Sequence, residues 1–239
     1  MKKQPATMIF AACFCLLAAS LWAQQGATQS RAPEKVQAPE RVQVPNDQYD
    51  TPEKRAGIAK RLDQPEREQR LKPEWIIATL GIKPGDRVAD IGTGTGILLP
   101  YLSRAVSPGG LVYAEDIFPD FLDRARAKAE KLKLDNVRFV LGDEKNPRLP
   151  QGEIDVAMIL DAYHHFEFPK AMLDNIRASL KPEGRIAIVD FFKRGDMSNH
   201  VRLDRDAVAK EVERFGWKLE ASPEGLENQY ILIFKRPPQ

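Results

Sequence analysis

Four short stretches of the chain carry residues that could bind or react. Asp90-Ile91-Gly92-Thr93-Gly94-Thr95-Gly96 sets glycines at every second position behind an acid. Glycines so spaced let a backbone turn tightly and let a ligand approach the main chain with no Cβ in the way. Glu115-Asp116 follows, Asp116 standing 20 residues beyond Gly96, as an acid at the end of the next strand of a βαβ unit would. Gly142-Asp143 is a third glycine-acid pair, and Leu160-Asp161-Ala162-Tyr163-His164-His165-Phe166 brings two of the three histidines together. Histidine titrates near neutral pH, so His164 or His165 suits general-base work, with Asp161 orienting it or holding a second ligand. A metal site is not expected, because adjacent histidines rarely converge without a third ligand such as a nearby cysteine or glutamate.

The glycine loop discriminates between ligands. A dinucleotide fingerprint, G-x-G-x-x-G, needs a small residue three positions after its second glycine. That position is Ile97 counted from Gly94, or Leu99 counted from Gly96. Asp90 would also repel a pyrophosphate, so a cationic or zwitterionic ligand is favoured over NAD.

The elements that must position these residues alternate. Strands are expected at Arg87–Ile91, Leu111–Asp116, Val137–Leu141, Ile154–Leu160 and Arg185–Phe191. Helices are expected between them at Gly96–Val106, Asp120–Leu132 and Pro169–Leu180, with another at Arg205–Phe215. Thr51-Pro52-Glu53 carries a cap, a first-turn proline and an acid, and starts a helix to Leu62; Pro73–Leu80 follows, stopped by Gly81. Strict alternation predicts an α/β fold, a doubly wound, mostly parallel seven-stranded sheet. Trp217–Ala221 and Tyr230–Lys235, split by a Pro/Gly loop, close it as a hairpin with an antiparallel C-terminal strand. In such sheets ligands bind beyond the carboxyl ends of the strands, where all four stretches lie.

Val88-Ala89-Asp90-Ile91-Gly92-Thr93-Gly94-Thr95-Gly96 resembles motif I of the class I S-adenosylmethionine (SAM)-dependent methyltransferases. Ile154-Asp155-Val156-Ala157 and Leu180-Lys181-Pro182-Glu183-Gly184-Arg185 resemble later motifs, Glu183 replacing a glycine. The resemblance runs from about Trp75 to Lys235 and implies SAM as cofactor. It assigns Asp90, Gly92, Gly94 and Gly96 to the loop around SAM, Asp116 to the ribose hydroxyls and Asp143 to the adenine amino group. Glu115 is expected on the opposite face of its strand. SAM carries a sulfonium and an ammonium, so buried acids suit it. Segment 160–166 resembles the x-x-L-H-H variant found in methyltransferases of small molecules and, in this family, faces the methyl donor. The absence of [DN]-P-P-[YFW] argues against a nucleic-acid or protein-amide acceptor. Residues 49–80, with Tyr49, Arg55, Arg61 and Arg67, would form a helical lid, and loop 193–204, with His200 and Arg202, would face the same cleft.

The remaining chain bounds the setting. Of 239 residues, 43% are apolar and 29% charged, with a net charge of +2, so neither a polybasic nucleic-acid binder nor an acidic tail protein is indicated. Lys2, Lys3 and an apolar run from Met8 to Ala23 form the pattern of a signal peptide spanning 1–23. Residues 24–48, with prolines at 33, 39 and 45, read as a disordered Pro/Gln-rich linker before a domain at 49–239. An exported, periplasmic or secreted protein is expected, with an uncleaved membrane tether as the alternative and membrane proximity through the leader. Both cysteines, Cys13 and Cys15, leave with the leader, which disfavours thiol-dependent chemistry. The expected function is methyl transfer from SAM to a small or lipid-like acceptor. A non-catalytic SAM- or nucleoside-binding module and an NAD-dependent oxidoreductase are the alternatives.

Overall fold

The computed structural model describes residues 41–236. The expected leader, 1–23, and the first part of the expected linker lie outside the described residues. Helices α1 (Pro52–Leu62), α2 (Pro65–Leu71) and α3 (Pro73–Thr79) precede the sheet. The alternating part is β1 (Arg87–Ile91), α4 (Leu99–Val106), β2 (Leu111–Asp116), α5 (Pro119–Leu132) and β3 (Val137–Leu141). It continues with β4 (Ile154–Leu160), α6 (Pro169–Ser179), β5 (Leu180–Phe191), α7 (Arg205–Arg214), β6 (Lys218–Ala221) and β7 (Gln229–Lys235). The sheet order is β3-β2-β1-β4-β5-β7-β6. Strands β1 to β5 pair in parallel, and β7 runs antiparallel between β5 and β6. The chain leaves β1 first toward β2 and β3, then returns to the other side as β4, so the switch point lies between β1 and β4.

Period-two alternation builds the layers. Ala89, Ile91, Ala157, Ile159, Ile186 and Ile188 face one way, against α6 and α7. Val88, Val112, Val156, Met158, Ala187 and Val189 face the other, against α3, α4 and α5. Both faces are therefore covered, and the strands read as near-continuous apolar runs.

Three sequence expectations need correction. The helix after the glycine loop starts at Leu99, not Gly96, because Gly92, Gly94 and Gly96 all have positive φ (70, 55 and 76°) and break helical geometry first. Helix α2 has no counterpart among the expected elements: it is seven residues long and buries only Leu71, too little for a periodic signal. The third concerns the linker. From Arg41 the expected tether is bound to the domain: Val42 N–H donates to the Glu167 carbonyl (2.8 Å) and Arg41 pairs with Glu167 (2.8 Å). Those contacts are polar and long-range, so composition gives no sign of them. Thr51 caps α1 as expected, its hydroxyl accepting from Lys54 N–H (3.3 Å). Among the described residues no helix is long and apolar enough to cross a membrane.

Candidate active site

A cavity opens above the carboxyl ends of β1, β2 and β4 and holds about 990 Å³ of atom-free space, its mouth included. Its floor is the glycine loop. Gly92 has φ +70°, and a Cβ there would sit 2.8 Å from Cβ of Ala162, closing the gap between the β1 and β4 loops. Gly96 serves packing instead: a Cβ would sit 2.7 Å from Cδ1 of Leu99 at the start of α4.

Three buried carboxyls meet at this loop. Asp90 accepts from the Thr93 hydroxyl (2.7 Å). Asp116 accepts from the N–H groups of Gly94 (2.9 Å) and Phe118 (3.0 Å). Glu115 accepts from Gly92 N–H (3.3 Å), while its Oε1 has no hydrogen-bond partner. Contrary to the strand-face expectation, Glu115 lines the cavity together with Asp116. Strand β1 ends opposite it at Ile91, so its long side chain bends past the strand end. Burial pushes the pKa of Asp90 and of Asp116 up to about 6. Glu115 is raised well above the ordinary range by burial and then by the neighbouring Asp116 charge. Carboxyls taken from water without a cation beside them are primed for cationic groups and hydroxyl donors. A sulfonium, an ammonium and a ribose diol match that donor set, so the residues present fit SAM. Asp143 is beside the cavity, near Glu115, and is not itself among the lining residues: it caps its own turn, accepting from Lys145 and Asn146 N–H (both 2.9 Å) and pairing with Arg148 (3.0 Å), while Glu144 lines the cavity.

The opposite wall follows β4. Asp161 has φ +51°, and its buried carboxylate pairs with Arg67 of α2 (2.9 Å) and accepts from the Gln229 amide. Burial raises its pKa despite Arg67. Tyr163–His165 forms a 3-10 turn that splits the two histidines. His165 lines the cavity; His164 does not and is 3% exposed. Ring Nδ1 of His164 lies 2.7 Å from the buried Asp190 carboxylate, which also accepts its backbone N–H (3.1 Å). Burial opposes charge on His164, but Asp190 outweighs it and holds the pKa above the ordinary value. His165 is driven the other way, to about 2, by burial and then by His164 and His200. Its Nδ1 lies 2.8 Å from Asn46 Oδ1 and its Nε2 3.2 Å from the Tyr49 hydroxyl.

The N-terminal segment completes the cavity. Tyr49 stacks on Phe118 (5.7 Å between centroids, 4° apart), and Arg55 of α1 lies over the same ring and pairs with Asp120 (2.9 Å). Sequence reasoning missed Asn46, Phe118 and Asp190. Asp190 sits at the carboxyl end of β5 and was open to discovery by the strand-end rule; Asn46, within a proline-spaced stretch, gave no signal. A third histidine stands beside the adjacent pair. His200, from the loop after β5, brings Nε2 within 3.2 Å of His164 Nε2.

An open α/β sheet with a glycine loop and buried acids at its switch point defines a SAM-dependent methyltransferase domain. A crystallised SAM-dependent methyltransferase from Aquifex aeolicus superposes with a TM-score of 0.72 at 29% identity, covering 75% of this chain and 97% of that one. The chain belongs to the methyltransferase-domain family, which matches residues 82–230, and SAM is the family's cofactor. A ubiquinone/menaquinone biosynthesis C-methyltransferase of Ectopseudomonas mendocina is 32% identical over 128 residues, 53% of this chain and 50% of that protein. An arsenite methyltransferase of Halobacterium salinarum is 26% identical over 131 residues, 55% of this chain and 34% of that protein. The chain thus spans about half, or less, of the length of these curated relatives.

Proposed function

We propose that the protein transfers the methyl group of SAM to a small or lipid-like acceptor. The observation that carries this reading is the placing of buried Asp90 and Asp116 at the glycine loop, opposite Asp161 and His165 across one cavity. When bound, SAM supplies an electrophilic methyl carbon on a sulfonium. Asp90 supplies negative charge to the donor's cationic end, and Asp116 accepts from its ribose hydroxyls. Gly92 keeps the β1 and β4 loops close enough for donor and acceptor to share one space, so alignment does most of the catalytic work. Asp161, held by Arg67 and Gln229, is the group placed to take a proton from the acceptor. His165 stays neutral at working pH and fixes the acceptor through its ring and the Tyr49 hydroxyl.

The cavity wall carries the apolar side chains of Leu62, Phe121, Leu160, Phe166 and Met172. This lining, and the similarity to a C-methyltransferase of quinone biosynthesis, support a lipid-like acceptor. Arsenite is disfavoured because the chain's only cysteines are Cys13 and Cys15. Ile97 on the cavity wall disfavours a dinucleotide. We further propose that residues 1–23 direct export, on the basic start and apolar run, leaving the domain outside the cytosol or held at the membrane. Cell fractionation with N-terminal sequencing tests this: a mature start near Gln24 is expected, and an intact leader in the cytosol would overturn it.

Calorimetry tests the ligand. Saturable SAM binding, weakened by Asp116→Ala, is expected, with no binding of NAD. SAM binding that Asp116→Ala leaves unchanged would refute the site. SAM binding without transfer to quinol-type acceptors would reduce the protein to a binding module.

A further inference from the structure

We infer that His164, His165 and His200 form a binding site for one divalent transition-metal ion of the zinc type. The three histidines come from two loops, the 3-10 turn after β4 and the segment after β5. One ring nitrogen from each lies within 4.8 Å of the others. The Nε2 atoms of His164 and His200 are 3.2 Å apart. Two nitrogens on a tetrahedral zinc, each about 2.0–2.1 Å from the metal, are separated by about 3.3 Å.

The hydrogen bonds around the rings assign their tautomers. Asp190 is an acceptor only, so His164 carries its proton on Nδ1 and leaves a lone pair on Nε2. The Asn46 amide is oriented by its Nδ2, which donates to the His165 carbonyl (3.0 Å). Its Oδ1 therefore faces His165 Nδ1, which donates to it (2.8 Å), so Nε2 carries the lone pair; it accepts from the Tyr49 hydroxyl (3.2 Å), a hydrogen bond that a bound ion would displace. Metal-ligating histidines are characteristically held this way, the far nitrogen donating to a carboxylate or carbonyl so that the near one is aimed and made more basic. Here both supports are built: Asp190 is fully buried and also accepts the N–H groups of His164 and Phe191 (3.1 and 2.8 Å). The close approach of two imidazole nitrogens is explained by a shared proton or by a shared cation, and the second supporting shell favours the cation. Buried Asp190 supplies the negative charge that offsets it.

Three imidazoles leave one coordination position open, the arrangement of catalytic rather than structural zinc sites. His165 and the adjoining Tyr49 both line the cavity, so that position opens toward the acceptor space. A bound ion would hold an oxygen of the acceptor there. This use rests on the methyl-transfer reading; the metal site itself does not.

Cobalt(II) is the probe, added to untagged full-length protein carrying Cys13→Ser and Cys15→Ser so that no thiolate competes. One equivalent should bind with the strong visible d–d absorption of a tetrahedral site, and zinc should displace it. His200→Ala lies in a surface loop and should abolish that band and weaken zinc binding at least about 100-fold, with the thermal melt and SAM affinity retained. Asp190→Asn should weaken zinc about 10–100-fold, as loss of a supporting group does. No tetrahedral band, or a band that His200→Ala leaves intact, overturns the inference. SAM measured on the same sample separates the two claims: metal binding without SAM binding sinks the proposed function alone, and the reverse sinks the metal site alone.

Discussion

Asp90 is expected to be held at a cost to the fold, and Asp90→Asn exposes that cost. Burial moves its pKa from an ordinary 3.8 to about 6. A carboxyl raised in the folded state binds its proton more tightly there than in the unfolded chain. Its stability contribution is therefore intact below about pH 4 and is lost as pH rises through about 6. That rise corresponds to about 3 kcal/mol at pH 8, of which about 1.5 kcal/mol has already been lost at pH 5. The amide oxygen of the variant can still accept from the Thr93 hydroxyl, as Asp90 does at 2.7 Å, and the amide carries no charge to bury. The ligand-free variant should thus be more stable than wild type by an amount that doubles between pH 5 and pH 8. For a domain of this size that is about 6–12 °C in melting temperature at pH 8 and half as much at pH 5. SAM affinity should move oppositely. Loss of one charge-assisted contact costs about 1.5–3 kcal/mol, a weakening of roughly 10–150-fold at pH 8. Differential scanning fluorimetry and calorimetry across pH 5–8 measure both. A melting-temperature gap that is constant with pH, or an unchanged SAM affinity, would refute the reading of Asp90 as a buried acid kept for a cation.

Gly92→Ala places a methyl group 2.8 Å from Ala162 at a φ of +70°; it should cost at least about 1 kcal/mol of stability and more than tenfold in SAM affinity, measured by denaturant melts and calorimetry. Arg67→Met strips the buried Asp161 of its guanidinium, 2.9 Å away, and should destabilise by about 3 kcal/mol at pH 8. The loss should shrink in acid, because Asp161, its pKa already raised by burial, can then take a proton; equal loss at pH 5 and pH 8 would argue against the pair. A chain starting at Arg41 should bind SAM as the full chain does. One starting at Tyr49 loses Asn46 and its 2.8 Å contact with His165, and should weaken acceptor turnover while SAM affinity stays within about twofold.

Local periodicity and the residues at strand ends made much of this protein readable without coordinates. Apolar runs alternating with amphipathic stretches set the order of β1 to β5 and the helices between them, because burial on both sheet faces demands that pattern. Glycine spacing announced the loop at 90–96, and Ile97 argued against a dinucleotide, because both properties belong to the backbone within a few residues. Tertiary structure alone decided which side chains share a space. Glu115 turned into the cavity because its neighbouring strand ends at Ile91, a matter of register between distant segments. Asp143 turned away into its own turn, held by N–H groups two and three residues along. His164 and His165, adjacent in sequence, part company on a 3-10 turn, one reaching the cavity and the other Asp190, and His200 joins them from 36 residues beyond His164. Asn46 and Arg41 dock onto the domain through hydrogen bonds that span more than a hundred residues. Sequence reports what each residue can do with its neighbours along the chain; convergence of distant polar groups depends on strand order and loop path, which only the folded chain specifies.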